Sequence, residues 1–416
     1  MKKTGFWKGF ILGLLVAMIS AVAVMAFVYR GYLMAAKEEG GLSVPQATEI
    51  VTKYDAILRS IRDKFLFEVE DEDALFDAGY RAAVESLGDK YSRYFTKEEY
   101  ESYLDSMSGT FGGVGITVRQ DEESGLPLVV EIREDSPAAR SGQIEVNDLL
   151  VSVEGTELCG KSLDEAVALI RGEIGTKVDV TFRRASDGTE YEVSLVRRKI
   201  EVSTVTGRIL TEAGGKIGYI YITEFDQITD KQFADTLDEL LGAGAEALVL
   251  DVRNNPGGYL NVVVAVTDRL VPEGIVTYTL DKDGDREDYI SHAGCLALPM
   301  ALLTNSNSAS ASEILTGALK DYGTARVFGT KTFGKGIVQN TSRFIDGSAI
   351  KLTISRFYSP NGVCFHGIGI EPDVNVELPE GVSFSTALPY EDDTQLQAAV
   401  EYLLTELALP DAAMAQ

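Results

Sequence analysis

From Gly218 onward, short apolar runs alternate with segments of helical periodicity, and this alternation limits the fold more than any other feature of the chain. Gly218–Thr223 reads as a strand, Asp230–Leu241 as a helix and Ala247–Val252 as a buried strand. Asn254–Gly258 then forms a loop, and Tyr259–Leu270 reads as another helix. Met300–Thr304 is a further strand, followed by the polar stretch Asn305–Ser312 and the helix Glu313–Lys320. Strands that alternate with helices in this way build a sheet covered by helical layers. At 416 residues the chain is too long for one ordinary domain, and the segments before Gly218 follow other rules.

Residues 108 to about 200 are strand-rich. Gly109, Gly112, Gly113 and Gly115 crowd a loop before the alternating Ile116–Val118. Further strands are expected at Leu128–Ile132, Asp148–Val153, Val178–Phe182 and Glu190–Leu195, with one helix over Ser162–Arg171. The run Ser136-Pro-Ala-Ala-Arg-Ser-Gly142 followed by Val146-Asn-Asp-Leu-Leu-Val-Ser-Val153 closely resembles a PDZ domain. Such domains bind peptide C-termini by strand addition, with backbone amides receiving the carboxylate. By that resemblance Gly113, Val114, Gly115 and Ile116 stand at the carboxylate loop.

Earlier in the chain, Ile50, Tyr54, Ile57, Ile61 and Phe65 recur at helical spacing, and a second helix is expected from Ala74 to Leu87, stopped by Gly88. These form a helical arm. At the extreme N-terminus, Lys2, Lys3 and Lys8 precede an uncharged apolar run from Gly9 to Tyr29, followed by Arg30. A helix needs about 20 such residues to cross a bilayer, and the lysines keep the N-terminus cytoplasmic. Val24-Met25-Ala26 offers the alternative of a cleaved signal peptide, but the apolar run exceeds the roughly 7–15 residues usual there. On either reading the bulk of the chain is exported.

The net charge of −26, from 64 acidic and 38 basic residues, repels phosphate backbones and disfavours nucleic-acid binding. Cys159, Cys295 and Cys364 form no Cys-x-x-Cys pair, and His292 and His366 are the only histidines. No metal or cofactor is assigned.

Two short segments hold the candidate chemistry. Ser310 and Glu313 stand at the spacing of a capping box, so Ser310 can cap the following helix or project from a strand-to-helix turn as a nucleophile. In the second case the free amides of the helix start face a developing oxyanion. Lys335, between Gly334 and Gly336, serves either as a solvated turn residue or as a base whose proton affinity burial lowers. If the segment is extended, Gln339 lies on the same face and can orient the lysine amine.

Ser308-Ala-Ser-Ala-Ser-Glu-Ile314 followed by Phe333-Gly-Lys-Gly-Ile-Val-Gln339 resembles the paired signature of the carboxyl-terminal processing peptidases, or tail-specific proteases. The likeness covers nearly all of the exported chain. Leu87-Gly-Asp-Lys-Tyr-Ser92 resembles the family's arm motif, with Lys90 where proline is usual, a departure expected to touch only the arm. Asp251–Gly258 resembles its oxyanion loop, and Phe357–Gly362 and Gly367–Asp373 its terminal strands. The resemblance implies Ser310 as nucleophile, Lys335 as base and Gln339 as its orienting partner. The oxyanion donors it implies are the amide of Ala311 and an amide of Gly257 or Gly258.

The fold class expected is therefore multidomain α/β. An anchor or signal segment occupies 1–34, a helical arm 44–107, a PDZ domain 108–200, a peptidase core 201–385 and a C-terminal helical segment 386–416. The expected function is a serine endopeptidase of a bacterial cell membrane, single-pass and extracytoplasmic, or secreted if the signal is cleaved. It acts on proteins or peptides with accessible C-termini, and the resemblance implies a homodimer contact through the arm. A tethered PDZ scaffold with an inactive core is the rival reading, set against by intact Ser310, Lys335 and Gln339. A trypsin-like protease needs a Gly-Asn-Ser-Gly-Gly loop, and Asn254-Asn-Pro-Gly-Gly258 has no serine.

Overall fold

Leu248 and Leu250 point to one side of a strand, and Ala247 and Val249 to the other. All four are fully buried, which requires cover on both faces of the sheet. The computed structural model describes residues 43–69, 71–214 and 216–408, and it supplies that cover. The central sheet has six strands in the order Val205–Ile209, Ile217–Ile222, Ala247–Asp251, Met300–Thr304, Ala325–Gly329 and Val374–Asn375. The first pair is antiparallel and the rest are parallel.

On one face lie the helices Thr229–Gly242, Leu260–Asp268 and Ala311–Tyr322. Phe233, Val263 and Leu315 from these helices pack on Ile220, Leu250 and Leu302. On the other face, Leu396, Ala399 and Leu403 of the helix Thr394–Ala408 pack on Val249, Ala301 and Leu303. The three helices expected in this region are present, each end one or two residues from where it is expected.

A second sheet of five strands holds Arg93–Phe95, Gly274–Asp281, Arg286–Ser291, Ile337–Arg343 and Ala349–Tyr358. Within it, Arg93 pairs with Lys351 and Phe95 with Ala349. The segment that ends the expected arm is thereby joined to strands some 250 residues further along.

The PDZ-like region folds around its own core of Val129, Leu150, Val178, Val180 and Phe182. Its sheet contains Ile116–Gln120, Pro127–Ile132, Leu149–Val153, Lys177–Arg183 and Glu190–Val196, flanked by the helices Pro137–Ser141 and Leu163–Ile170. Ser162 caps the second of these in a full capping box with Glu165.

The chain divides between Ala78 and Gly79 into two compact units. In the first, Arg62 of the helix Val44–Lys64 holds Glu72 through two hydrogen bonds of 2.8 and 2.7 Å. On the expected apolar face of that helix, Ile50 and Ile57 remain 54% and 48% exposed. The run Gly9–Tyr29, expected as an anchor, lies outside the described residues. Among those described, no helix is long and apolar enough to cross a membrane.

Candidate active site

Ser310 is the last residue before the helix Ala311–Tyr322, with φ 57° and ψ −113°. For a residue with a Cβ this backbone is strained by about 1–3 kcal/mol and persists only where neighbours over-determine it. Here they do. The buried hydroxyl of Ser308 donates to the Val252 carbonyl at 2.8 Å, and that of Ser312 to the Asn255 carbonyl at 3.0 Å. The Ala309 N–H donates to Asn255 O at 3.0 Å. Ser308 and Ser312 are thus structural ties, and the side chain between them, Ser310, is left for the cavity that it lines.

The helix-cap role considered for Ser310 is half fulfilled. Its N–H donates to Glu313 Oε2 at 2.9 Å. Its hydroxyl stands near the Glu313 amide as a capping box requires, but it takes no cap hydrogen bond. That amide donates instead to the Ser310 carbonyl at 2.9 Å.

The same carboxylate holds the lysine loop. Glu313 is fully buried and accepts from Thr332 Oγ1 at 2.6 Å, the Gly334 N–H at 2.7 Å and the Lys335 N–H at 2.7 Å. One side chain therefore fixes the backbone of both Ser310 and Lys335. Gly334 and Gly336 are required by close approach: a Cβ would lie 2.9 Å from Gly369 N in one case and 2.7 Å from His366 N in the other.

Lys335, Gln339, Gly257, Gly258 and Ala311 line the same cavity as Ser310, a space of about 550 Å³. Burial pushes the Lys335 ammonium below the ordinary lysine range. The charge of Lys351 adds to this, while Asp89 and Glu313 oppose it. In this conformation no hydrogen bond joins Lys335 to Ser310; its Nζ sits 4.8 Å from the centroid of the Tyr91 ring. Gln339 falls beside a bulge after Val338, so simple alternation from Lys335 does not hold. Its amide nitrogen donates at 3.4 Å to both Ile337 O and Thr353 Oγ1.

The two glycines differ. The Gly257 N–H is taken by Asn255 Oδ1 at 2.8 Å. A Cβ on Gly257 would stand 2.7 Å from Ser310 Cβ and 2.9 Å from Ala311 N, so glycine makes room for the serine. The N–H groups of Gly258 and of Ala311, at the first position of the helix, have no acceptor among the described residues.

Lys90 is not confined to the arm, as the sequence suggested. Its Nζ lies 4.9 Å from the centroid of Tyr91 and 5.5 Å from that of Phe333, the neighbour of Gly334. The cause is the pairing of Arg93–Phe95 with the second sheet, reinforced by Thr353 N–H to Ser92 Oγ at 3.1 Å and Ser92 Oγ to Asp89 Oδ2 at 2.6 Å. Two lysine ammonium groups consequently share one aromatic ring beside the cavity.

Away from this cavity, Val114 is buried and Gly115 has φ 80°, where a Cβ would strike Ser136 Cβ at 2.1 Å. Gly113 ends the strand Thr110–Gly113, and Ile116 begins the next. The N–H groups of Val114 and Gly115 have no acceptor among the described residues, while their carbonyls accept from Ala138 and Arg133 at 2.9 and 3.0 Å.

Residues 216–376 match the model of peptidase family S41, and residues 128–184 that of the PDZ domain. The protein named "Probable CtpA-like serine protease" in Staphylococcus aureus (strain COL) is 34% identical over 373 residues, covering 89% of this chain and 73% of that protein. The chain belongs to peptidase family S41. It is a serine-type peptidase with a PDZ domain, similar also to a relative in Staphylococcus epidermidis (strain ATCC 12228 / FDA PCI 1200) at 33% identity over 84% of this chain and 70% of that one. An S41 protease structure from Bacteroides fragilis NCTC 9343 shares the fold, with a TM-score of 0.50 at 18% identity over 85% of this chain and 97% of the other.

For this S41 peptidase, the bridging role of Glu313 is the residue function that sequence reasoning missed, since its spacing showed only a cap. Glu313→Gln leaves one carboxamide NH2 facing N–H and O–H donors. It is expected to slow covalent labelling of the serine by a fluorophosphonate about 100-fold through misplacement of the turn. Labelling at the wild-type rate in folded Glu313→Gln enzyme would remove the bridge from catalysis.

Proposed function

We propose that the chain is an extracytoplasmic, membrane-anchored endopeptidase that captures protein C-termini in its PDZ domain and cleaves through a Ser310–Lys335 dyad. The observation that carries this reading is the cavity that strained Ser310 shares with a half-buried lysine and with two N–H groups that have no acceptor among the described residues. Neutral Lys335 swings from the Tyr91 ring to Ser310 and removes the hydroxyl proton. The serine oxygen attacks the peptide carbonyl, and the Gly258 and Ala311 amides hold the oxyanion. Lys335 then gives the proton to the leaving amine, and water hydrolyses the acyl-enzyme. Gln339 Oε1 supplies the acceptor that orients the neutral amine.

The free amides of Val114 and Gly115 favour a carboxylate at the PDZ loop. The membrane anchor rests on Gly9–Tyr29 and its flanking lysines. The exposed apolar face around Ile50 and Ile57 supports arm-to-arm pairing of two copies.

The test uses the full chain in detergent and an unstructured polypeptide with either a free or an amidated C-terminus. Cleavage is expected to require Ser310, to vanish in Ser310→Ala, and to fall at least about tenfold on amidation. Equal cleavage of both forms would defeat C-terminal capture, and residual cleavage by Ser310→Ala would defeat the nucleophile assignment.

A further inference from the structure

Beyond the dyad, the cavity carries two carboxylates that the mechanism does not use. Just past the strand Ile217–Ile222, Phe225 makes an isolated bridge with Gly258 and is fully buried in the core. Glu224 and Asp226, on either side of Phe225, line the cavity that holds Ser310. The segment is zipped to the glycine loop: the Phe225 N–H donates to Gly257 O at 2.8 Å, and the Tyr259 N–H to Phe225 O at 2.8 Å. The backbone that carries the two acids therefore lies directly beside the loop against which Ser310 rests.

Asp226 is only 2% exposed, and among the described residues no hydrogen bond or ion pair reaches its carboxylate. Nor does that carboxylate cap the helix Thr229–Gly242. The Thr229 N–H donates to the Asp226 backbone carbonyl at 3.1 Å, and the Asp226 N–H donates to Thr229 Oγ1 at 2.9 Å. A buried carboxylate without a partner is costly; burial, followed by the charge of Glu224, pushes Asp226 up to about 7. The cations already in the cavity do not relieve it. Lys335 lies over Tyr91, and Lys351 Nζ lies 4.9 Å from the centroid of Tyr103. Tyr100 and Tyr259 add aromatic surface to the same cavity.

Paired acids among aromatic rings suit an organic cation. We propose that Glu224 and Asp226 form a subsite for the lysine or arginine side chain of a bound polypeptide, so that the enzyme prefers substrates with a basic residue close to the scissile bond. This rests on the peptidase reading above, and it adds a determinant separate from the C-terminus.

The experiment compares peptides with one shared free C-terminus in which lysine or its neutral isostere norleucine is placed in turn at each position flanking the cleaved bond. For the wild-type chain in detergent, kcat/KM is expected to favour lysine over norleucine at least about tenfold at one position. In Asp226→Asn, and independently in Glu224→Gln, that ratio is expected to fall toward one. Because the readout is a ratio within each variant, a general loss of activity does not mimic the effect. A wild-type ratio of one or below at every position, or an undiminished ratio in both variants, overturns the subsite. Norleucine peptides cut by wild type but not by Ser310→Ala keep the peptidase reading intact in that event. Failure of wild type to cut any peptide overturns both.

Discussion

On the proposed Ser310–Lys335 dyad, replacing Lys335 by alanine is expected to lower kcat by about 10⁴-fold or more, as removal of the base from a serine nucleophile does elsewhere. Lys335→Arg should be equally inactive, because a guanidinium keeps the charge and much of the reach but does not give up its proton near neutral pH. That comparison separates a base from a merely electrostatic lysine: substantial turnover by the arginine variant would exclude proton transfer through residue 335. The pH dependence has a definite sign. Only the neutral amine accepts the serine proton, so kcat/KM rises as pH increases through the Lys335 pKa and falls below it. Since burial and then Lys351 push that pKa below the ordinary lysine range, the limb lies at lower pH than free lysine would place it. Lys351→Met removes the neighbouring positive charge, which should move the limb to higher pH. A limb that stays put would detach Lys351 from the tuning of the base.

A second large effect is expected far from the serine, at Arg253. Its guanidinium is completely buried and donates to Asp251 Oδ1 at 3.0 Å and Oδ2 at 2.6 Å, and to both Asp393 oxygens at 2.8 Å. Gln395 Oε1 accepts a further bond at 3.0 Å, and the Phe384 ring stacks with its centroid 3.8 Å away. Asp251 ends a central strand, and Asp393 accepts from the Leu396 N–H at 3.0 Å at the start of the last helix. Arg253 therefore joins the loop that leads to Gly258 to the C-terminal helix. Arg253→Met leaves two carboxylates buried without their partner and is expected to cost about 3–5 kcal/mol. At roughly 2–4 °C per kcal/mol for a domain of this size, the midpoint of thermal unfolding should drop by about 6–20 °C. A fall equivalent to less than about 1 kcal/mol by calorimetry or urea titration would show that water or a rearranged side chain restores the balance.

The parts of this site that could be read in advance were those encoded locally. The strand, polar turn and helix around Ser310 follow from periodicity, and Gly334 and Gly336 announce a close backbone approach. Other parts depend on contacts between distant segments. Arg93–Phe95 is three residues long and carries no strand signal of its own; it is extended because Ala349–Tyr358 offers an edge. That pairing carries Lys90 and Tyr91 to the lysine loop, which no local pattern predicts. Glu313 showed its capping role through spacing alone, but its hold on Thr332, Gly334 and Lys335 appears only once the two segments meet. The difference between Gly257 and Gly258 depends on a side chain two residues before the first of them, Asn255, which occupies the Gly257 amide. Asp226 left a faint trace in the alternation Glu-Phe-Asp after a strand, and burial gives that trace its meaning.

The left-handed backbone of Ser310 also bears on how such an enzyme could lose its trade. A side chain at φ 57° is held there against a conformational cost. In a descendant kept only for holding C-termini, glycine at 310 would relieve the turn while leaving the PDZ domain and the sheet untouched. Loss of the side chain at this position therefore runs downhill in conformational energy.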